Sequence, residues 1–172
     1  MARAGLEPKP SWRSVPLSVR QAAARTLGAE ARRALIAWGG YTPTPTYRLL
    51  LTDGRRAFFK AVSPDSNDFA RAAHSREERV YRELAHLIGP WAPAFYGAFA
   101  CDAWQVLLLE DLGPKSAPPW TTALTRRVAR AYGDFHAATM GQPIPSWVPR
   151  ADGYGATGSR WDWATEPDAL DR

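Results

Sequence analysis

Short apolar runs bounded by glycine, proline and polar residues fill the middle of the chain. Runs of this length between turn residues are typical of β-strands. Five such runs are predicted as strands, at Ala34–Trp38, Tyr47–Leu51, Arg56–Val62, Ala94–Phe99 and Trp104–Leu109. The Asp53-Gly54 pair between the second and third runs predicts a hairpin, which makes those two strands antiparallel.

A longer segment has the spacing of an amphipathic helix. Between Asp68 and Ile88, apolar side chains recur three and four residues apart, and Gly89-Pro90 ends the pattern. The apolar stripe is predicted to include Phe69, Ala73, the aliphatic part of Arg76, Val80, Leu84 and Leu87. Shorter helices are predicted at Ser18–Leu27, capped by serine and closed by Gly28, and from Thr121 or Thr122 to Gly141.

Lys60 lies in the middle of the apolar run Arg56–Val62. A cation in a buried strand is costly unless an anion meets it. The other two lysines, Lys9 and Lys115, each adjoin a proline in a polar loop. A compact ammonium within a strand suits a phosphate or a carboxylate, and the alternative is a strand-edge lysine that points to water.

The predicted Asp68–Ile88 helix supplies a carboxylate for this lysine. Glu77 lies near the face that would pack on the sheet, whereas Glu78 points about 100° away. A helix acid that faces Lys60 makes a buried ammonium tolerable and fixes its position. The alternative is an ordinary solvated glutamate.

Two further stretches have a backbone suited to ligand binding. The run Trp104–Leu109 breaks into Glu110-Asp111-Leu112-Gly113, which offers free backbone groups beside an apolar pocket and suits a flat heterocycle such as adenine. Before the hairpin, the Gly39-Gly40 pair lets backbone N–H groups turn toward an anion, or simply allows a bend.

In this order, the paired glycines, hairpin, strand lysine, helix glutamate and Leu-Leu-Leu-Glu-Asp-Leu connector resemble the nucleotide lobe of the aminoglycoside phosphotransferase family. That family is related to choline kinases and, more distantly, to protein kinases. The resemblance covers Trp12 to Thr139. It implies an α+β, protein-kinase-like N-lobe, with an antiparallel sheet of about five strands and one packed helix, followed by the first helix of an incomplete helical C-lobe.

The resemblance also implies a domain organisation. Residues 1–33 would form a tail and a short helix, and residues 34–112 the nucleotide-binding lobe. Residues 113–172 would form a linker, the first helix and the loop-rich start of the second lobe. After Gln142 the chain is dominated by proline, glycine and tryptophan, and no firm secondary structure is predicted there.

The resemblance implies that ATP binds along this lobe, with its phosphates at one end and its adenine at the other. Lys60 would bind the α- and β-phosphates, Glu77 would pair with Lys60, and Gly39 and Gly40 would begin the loop over the phosphates. That loop departs from the protein-kinase pattern G-x-G-x-x-G.

At the adenine end, Leu109 would stand at the back of the pocket. The Glu110 carbonyl and the Leu112 amide would hydrogen-bond the edge of the base. ATP is therefore the implied cofactor, and Mg²⁺ is expected for the complete enzyme.

The chemistry of the family needs residues that the chain does not provide in the required pattern. Phosphoryl transfer uses a catalytic-loop aspartate, an asparagine a few residues on, and a later metal-binding aspartate. Asn67 is the single asparagine and precedes the connector, and His136 is not followed by the family's His-Gly-Asp. We therefore expect no catalytic or metal-binding residue here, and a second lobe that stops before its chemistry.

Two functions from different classes follow. One is the ATP-binding portion of a small-molecule phosphotransferase, inactive by itself, whose complete form transfers the γ-phosphate of ATP to a hydroxyl of an aminoglycoside, choline or similar acceptor. The alternative is a non-catalytic kinase-like module that binds a nucleotide or a protein. Nucleic-acid binding is disfavoured, because the arginines are not clustered with aromatic residues.

Composition sets the remaining expectations. The chain has 172 residues, 45% of them hydrophobic, and a formal charge of +5 that permits an anionic ligand. Cys101 is the single cysteine, and no segment has the length and apolarity of a signal or a membrane span, so a cytoplasmic protein is expected. An apolar face around Leu109, Trp120, Tyr132 and the tail tryptophans is expected to be exposed, which favours self-association or poor solubility.

Overall fold

A five-stranded antiparallel sheet forms the centre of the protein in its computed structural model, which describes residues 9–38, 44–114 and 119–148. The strands are β1 (Ala31–Ile36), β2 (Thr46–Leu51), β3 (Arg56–Val62), β4 (Phe95–Cys101) and β5 (Trp104–Leu109). Their order in the sheet is β1-β2-β3-β5-β4, with every neighbouring pair antiparallel. The prediction of an α+β fold with an antiparallel sheet of five strands is confirmed.

Four α-helices accompany the sheet in the described part of the chain. They are α1 (Leu17–Leu27), α2 (Asp68–Glu83), α3 (Ala85–Ile88) and α4 (Thr122–Thr139), with 3-10 turns at Trp12–Ser14 and Gly89–Trp91. The single helix predicted from Asp68 to Ile88 is therefore two helices. The backbone of Leu84, at φ −112° and ψ 12°, leaves the helical region and separates them.

The hydrophobic core lies between α1 and one side of the sheet. The alternation of a strand sends every second side chain to this side. The buried core consists of Val15, Val19, Ala23, Leu27, Tyr47, Leu49, Leu51, Ala57, Phe59, Ala61, Trp104, Val106 and Leu108. The opposite side of the sheet is consequently left for α2.

The ends of α1 confirm one predicted cap and correct another. Gly28 ends the helix in the left-handed conformation, at φ +73°, as predicted. The predicted serine cap is wrong, because Pro16 occupies the N-cap position and makes no side-chain cap. The Ser18 hydroxyl donates instead to Oδ2 of Asp102, which ties α1 to the turn between β4 and β5.

The sequence also misplaced the first strand. β1 was predicted from Ala34 to Trp38, but it runs from Ala31 to Ile36. Its first half includes Arg32 and Arg33, which are exposed on the edge of the sheet. Charged residues are common on edge strands because they oppose pairing with other chains, so an apolar run alone does not reveal such a strand.

The period of α2 was predicted correctly, but its orientation was wrong. Ala70 and His74 are its buried residues, and Glu77 and Tyr81 continue the same stripe at helical spacing. Phe69, from the predicted stripe, is 76% exposed. The true inward stripe is thus turned by one residue, about 100° around the helix axis.

No described residue of α4 is buried, and most are exposed, while Leu124, Phe135 and Thr139 are half-buried. The Thr121 hydroxyl accepts a hydrogen bond from the Leu124 amide at 3.1 Å, so Thr121 is the predicted cap. The helix ends at Thr139, two residues before the predicted Gly141. Trp120 and Tyr132 are exposed as predicted, but Leu109 is only 5% exposed and does not belong to an exposed face.

The chain divides into two compact units, Met1–Ala138 and Thr139–Arg172. The first contains the sheet. In the second, the described residues form two turns, closed by hydrogen bonds from Gln142 to Thr139 and from Val148 to Pro145. No helix within the described residues is both long enough and apolar enough to cross a membrane.

Candidate functional site

The side of the sheet opposite α1 brings the candidate residues together. Lys60 on β3 lies directly across from Thr46 on β2 and from Leu107 on β5. Two residues earlier on β3, Phe58 lies between Arg48 and Leu109. We call this surface the site face, defined by Thr46, Arg48, Phe58, Lys60, Leu107 and Leu109.

Lys60 and Glu77 form the predicted ion pair. The Lys60 ammonium donates to Oε2 of Glu77, and the two side chains are 33% and 31% exposed. The neighbouring Glu78 pairs instead with Arg82 on its own helix, at 2.7 Å. The choice of Glu77 over Glu78 from the sequence is therefore confirmed.

The position of Glu77 follows from the way α2 is fixed at both ends. At the start, Asn67 caps the helix by accepting a hydrogen bond from the Ala70 amide at 2.8 Å, and the Arg71 guanidinium donates to the carbonyl of Ser63 at 2.8 Å. Toward the other end, Tyr81 stacks on Phe95 of β4, with ring centroids 5.8 Å apart. Glu77 lies between these anchors.

Lys9 also reaches the site face, which the sequence did not indicate. Its ammonium donates to Oγ1 of Thr46, and the Thr46 hydroxyl itself donates to the Ala37 carbonyl at 3.0 Å. Burial, and next the charge of Lys60, lower the pKa of Lys9 from its ordinary value. Lys9 and Thr46 are 37 positions apart, so no local pattern could have revealed the contact.

His74 is a second site residue that the sequence did not indicate. It is 2% exposed, and neither ring nitrogen has a hydrogen-bond partner in the structure. Burial lowers the pKa of His74, the charge of Lys60 acts in the same direction, and the charges of Glu77 and Glu78 oppose it. Its spacing from Glu77, three residues, was the available signal, since helical residues three apart share a face.

A small cavity of about 70 Å³ lies where Lys60, Glu77 and His74 meet. Its remaining lining residues are Thr44, Ala61, Val62, Phe69, Ala70 and Ala73. The cavity thus combines an ammonium, a carboxylate and a neutral imidazole in a mostly apolar wall. This end of the site face has the polar groups suited to an anionic ligand.

The centre of the site face is apolar. Leu107 and Leu109 are buried in the sheet, and Phe58 beside them is half-buried. Leu109 is the last residue of β5, so it adjoins the connector, and its role at the back of an adenine pocket stays a prediction. Of these three side chains, Phe58 is therefore the one with accessible surface, and the buried Leu107 and Leu109 lie beside it.

A second cleft, of about 210 Å³, lies at the connector end of the same face. It is lined by Arg33, Leu35, Arg48, Leu49, Leu50, Arg56, Asp111 and Pro114. Arg48 Nε lies 3.5 Å from Oδ1 of Asp111, whose side chain is only 4% exposed. The sequence did not single out Arg48, although the alternation of Thr46, Arg48 and Leu50 with buried residues places it on the site face.

The connector is held by its own hydrogen bonds. The Gly113 amide donates to Oδ1 of Asp111 at 3.0 Å, and Gly113 adopts φ +89°, which favours glycine. The Glu110 amide donates to the Ala94 carbonyl at 2.8 Å, while Oε2 of Glu110 accepts from the Ala94 amide at 3.1 Å. The Glu110 side chain therefore fixes the connector to the residue before β4.

The other predicted nucleotide contacts are not tested by these observations. Leu112 is exposed on the connector, and the roles of its amide and of the Glu110 carbonyl toward adenine stay predictions. Gly39 and Gly40 lie outside the described residues.

The described residues do not fit the Mg²⁺ that the resemblance implies for a complete enzyme. Among residues 9–38, 44–114 and 119–148, no group of three or more histidine, cysteine, aspartate or glutamate side chains is arranged to hold a metal ion. The two carboxylates that meet the site face, Glu77 of α2 and Asp111 of the connector, are already engaged with Lys60 and Arg48.

Comparisons with known proteins identify no relative. No family model matches the chain, and no match was found among the curated proteins or the solved structures. The function is therefore inferred from the geometry of the site face.

Proposed function

We propose that the site face binds an adenine nucleotide, with the phosphates at Lys60 and the base over Phe58, beside the connector. The observation that carries the proposal is the Lys60–Glu77 ion pair next to the half-buried ring of Phe58 on the same side of β3. One face then offers a positioned cation and a flat apolar surface, which are the two parts that a nucleotide requires.

The exposure of the ion pair supports a role in binding rather than in stability. Pairs whose side chains are this accessible contribute about 0–1 kcal/mol to folding. Glu77 accepts only one of the three hydrogen-bond donors that a lysine ammonium carries. The carboxylate can hold the ammonium in place while its other donors address a phosphate.

The direction of the ligand follows from the two ends of the face. Lys60 and Phe58 are two residues apart on β3, about 7 Å, and point to the same side of the sheet. A base over Phe58 and Leu109 would therefore reach the connector, while its phosphates reach Lys60. Arg48, which spans from β2 to Asp111, adds a planar cation on which a base can stack.

Within this proposal, the chain is the nucleotide-binding portion of a small-molecule phosphotransferase and has no turnover alone. Asn67 caps α2, so the one asparagine of the chain serves the fold. The second candidate is a non-catalytic module that binds a nucleotide or a protein. The engagement of Glu77 and Asp111 in ion pairs favours it, because neither carboxylate is free to orient an acceptor.

Calorimetric titration with ATP and adenosine tests the proposal. We expect ATP to bind, and Lys60→Met to weaken that binding at least tenfold while leaving adenosine binding within twofold. Arg25→Gln is the matched control, because it removes one positive charge from an exposed position on α1, on the other side of the sheet. Failure of ATP to bind, or equal effects of the two variants, would reject the proposal.

A turnover assay tests the absence of catalysis that both candidates predict. Purified protein is incubated with ATP, magnesium and a panel of aminoglycosides and amino alcohols, and ADP release is followed. We expect no release above the rate without protein. Acceptor-dependent release that Lys60→Met abolishes would show that the chain supplies a catalytic base.

A further inference from the structure

The segment before α1 presents a second lysine to the site face. The Lys9 ammonium donates to the Thr46 hydroxyl, and Thr46 is the residue directly across from Lys60. Because directly opposed residues of an antiparallel pair point to the same side, the two ammonium groups share one end of the site. The effect of Lys60 on the pKa of Lys9 agrees with this proximity.

The segment that carries Lys9 is anchored on the core side of the sheet. The Tyr47 hydroxyl donates to the Pro10 carbonyl at 2.8 Å. Trp12 packs edge-on against Tyr47 and Phe59, with ring centroids 5.1 Å apart in both pairs. Lys9 is thus presented from a fixed backbone, which reduces the entropy lost when a ligand binds it.

Two like charges at one end of a site favour a ligand that carries more than one negative charge. Lys60 is paired with Glu77, and Lys9 approaches from the β2 side. A phosphate chain between the ammonium groups reduces their mutual repulsion and makes charge-assisted hydrogen bonds to both. A single phosphate that binds Lys60 leaves the second cation without this gain.

We propose that Lys9 is a second phosphate-binding residue and that it makes the site selective for nucleoside di- and triphosphates over monophosphates. This inference rests on the proposed nucleotide-binding function. It assigns a binding role to the segment before α1, and a positioning role to Tyr47, which fixes Pro10 beside Lys9.

Titrations of Lys9→Gln with ATP, ADP and AMP test the inference. We expect binding of ATP and ADP to weaken about tenfold, and binding of AMP to change less than twofold. Lys9→Arg keeps the charge and should retain the preference for ATP. Arg25→Gln serves again as the control for loss of a distant positive charge, and it should leave the ratio of ATP to AMP affinity unchanged.

Tyr47→Phe tests the positioning role separately. It removes the hydrogen bond to Pro10 but keeps the ring in the core, so we expect a smaller loss, about threefold, for ATP and none for AMP. If Tyr47→Phe weakened the binding of ATP and of AMP equally, the substitution would have a general effect on the fold, which would contradict the positioning role.

Inorganic tripolyphosphate distinguishes failure of this inference from failure of the nucleotide proposal. Tripolyphosphate binding that Lys9→Gln and Lys60→Met each weaken would support the paired lysines even if no nucleotide binds. If nucleotides bind but Lys9→Gln leaves the ratio of ATP to AMP affinity unchanged, the role of Lys9 would be overturned and the nucleotide proposal would stand. Absence of both nucleotide and tripolyphosphate binding would overturn both.

Discussion

Lys60 on β3 and Glu77 on α2 form an ion pair that joins the helix to the site face of the sheet. Each side chain keeps about one third of its surface in solvent, so water screens the attraction between them. The pair therefore sets the position of the ammonium more than it stabilises the fold.

A double-mutant cycle on this pair should show weak coupling. We expect Lys60→Met, Glu77→Gln and the double variant to give a coupling free energy of about 0.5–1 kcal/mol in urea unfolding. The Arg82–Glu78 pair of the same helix is the matched control and should give a similar value. A coupling of about 3 kcal/mol or more would mean that the charges are desolvated and that the pair is structural.

His74 should make stability depend on pH. Burial keeps its pKa below the ordinary value of 6.5, so the unfolded chain binds a proton at higher pH than the folded protein does. The free energy of unfolding should therefore fall as the pH drops below 6.5, until the folded protein is also protonated. Urea unfolding between pH 8 and pH 5 measures this dependence.

The variant His74→Leu should remove this contribution. At pH 7.5 it should be at least as stable as the original protein, because it replaces two buried nitrogens that have no hydrogen-bond partner. The exposed His86 provides the control, since His86→Gln should leave the loss below pH 6.5 unchanged. If His74→Leu lost as much stability below pH 6.5 as the original protein, the pH dependence would come from other titratable groups.

The strands and the ion pair could be predicted because their signals are local or repeat at a fixed period. An apolar run interrupted by one lysine marks β3, and a glutamate at helical spacing marks its partner. The orientation of α2 was predicted wrongly, because Phe69 is apolar but exposed, whereas the polar His74 is buried. Hydrophobicity alone gives the wrong answer at both positions.

The remaining site residues depend on contacts between distant parts of the chain. Lys9 meets Thr46 only after the sheet has formed and Tyr47 has bound Pro10. Asp111 lies in the predicted connector, yet its buried pairing with Arg48 depends on β2 lying next to β3. Neither contact could be predicted from the sequence, because each depends on the tertiary structure.

Gly97 should not tolerate a side chain. It adopts φ +147°, and a Cβ there would lie 2.7 Å from Cγ2 of Thr26 on α1. We expect Gly97→Ala to lower the free energy of unfolding by about 2–3 kcal/mol, from backbone strain and from the clash. Adding Thr26→Ser, which removes the methyl group, should restore part of this loss.

Gly133 on α4 offers the matched control for this substitution. A Cβ at Gly133 meets no atom within 4 Å, so Gly133→Ala should raise the free energy of unfolding by about 0.5–1 kcal/mol, as expected within a helix. Equal effects of alanine at the two glycines would show that α1 and β4 are not in close contact at Gly97.

Methyl NMR spectra with and without ATP test nucleotide binding on the site face most directly. Leu107 and Leu109 point to that face, whereas Val106 and Leu108 alternate with them on β5 and belong to the core beside α1. We predict that saturating ATP shifts the methyl signals of Leu107 and Leu109 and leaves those of Val106 and Leu108 nearly unchanged. Larger shifts at Val106 and Leu108, or no shifts at all, would contradict nucleotide binding at this site.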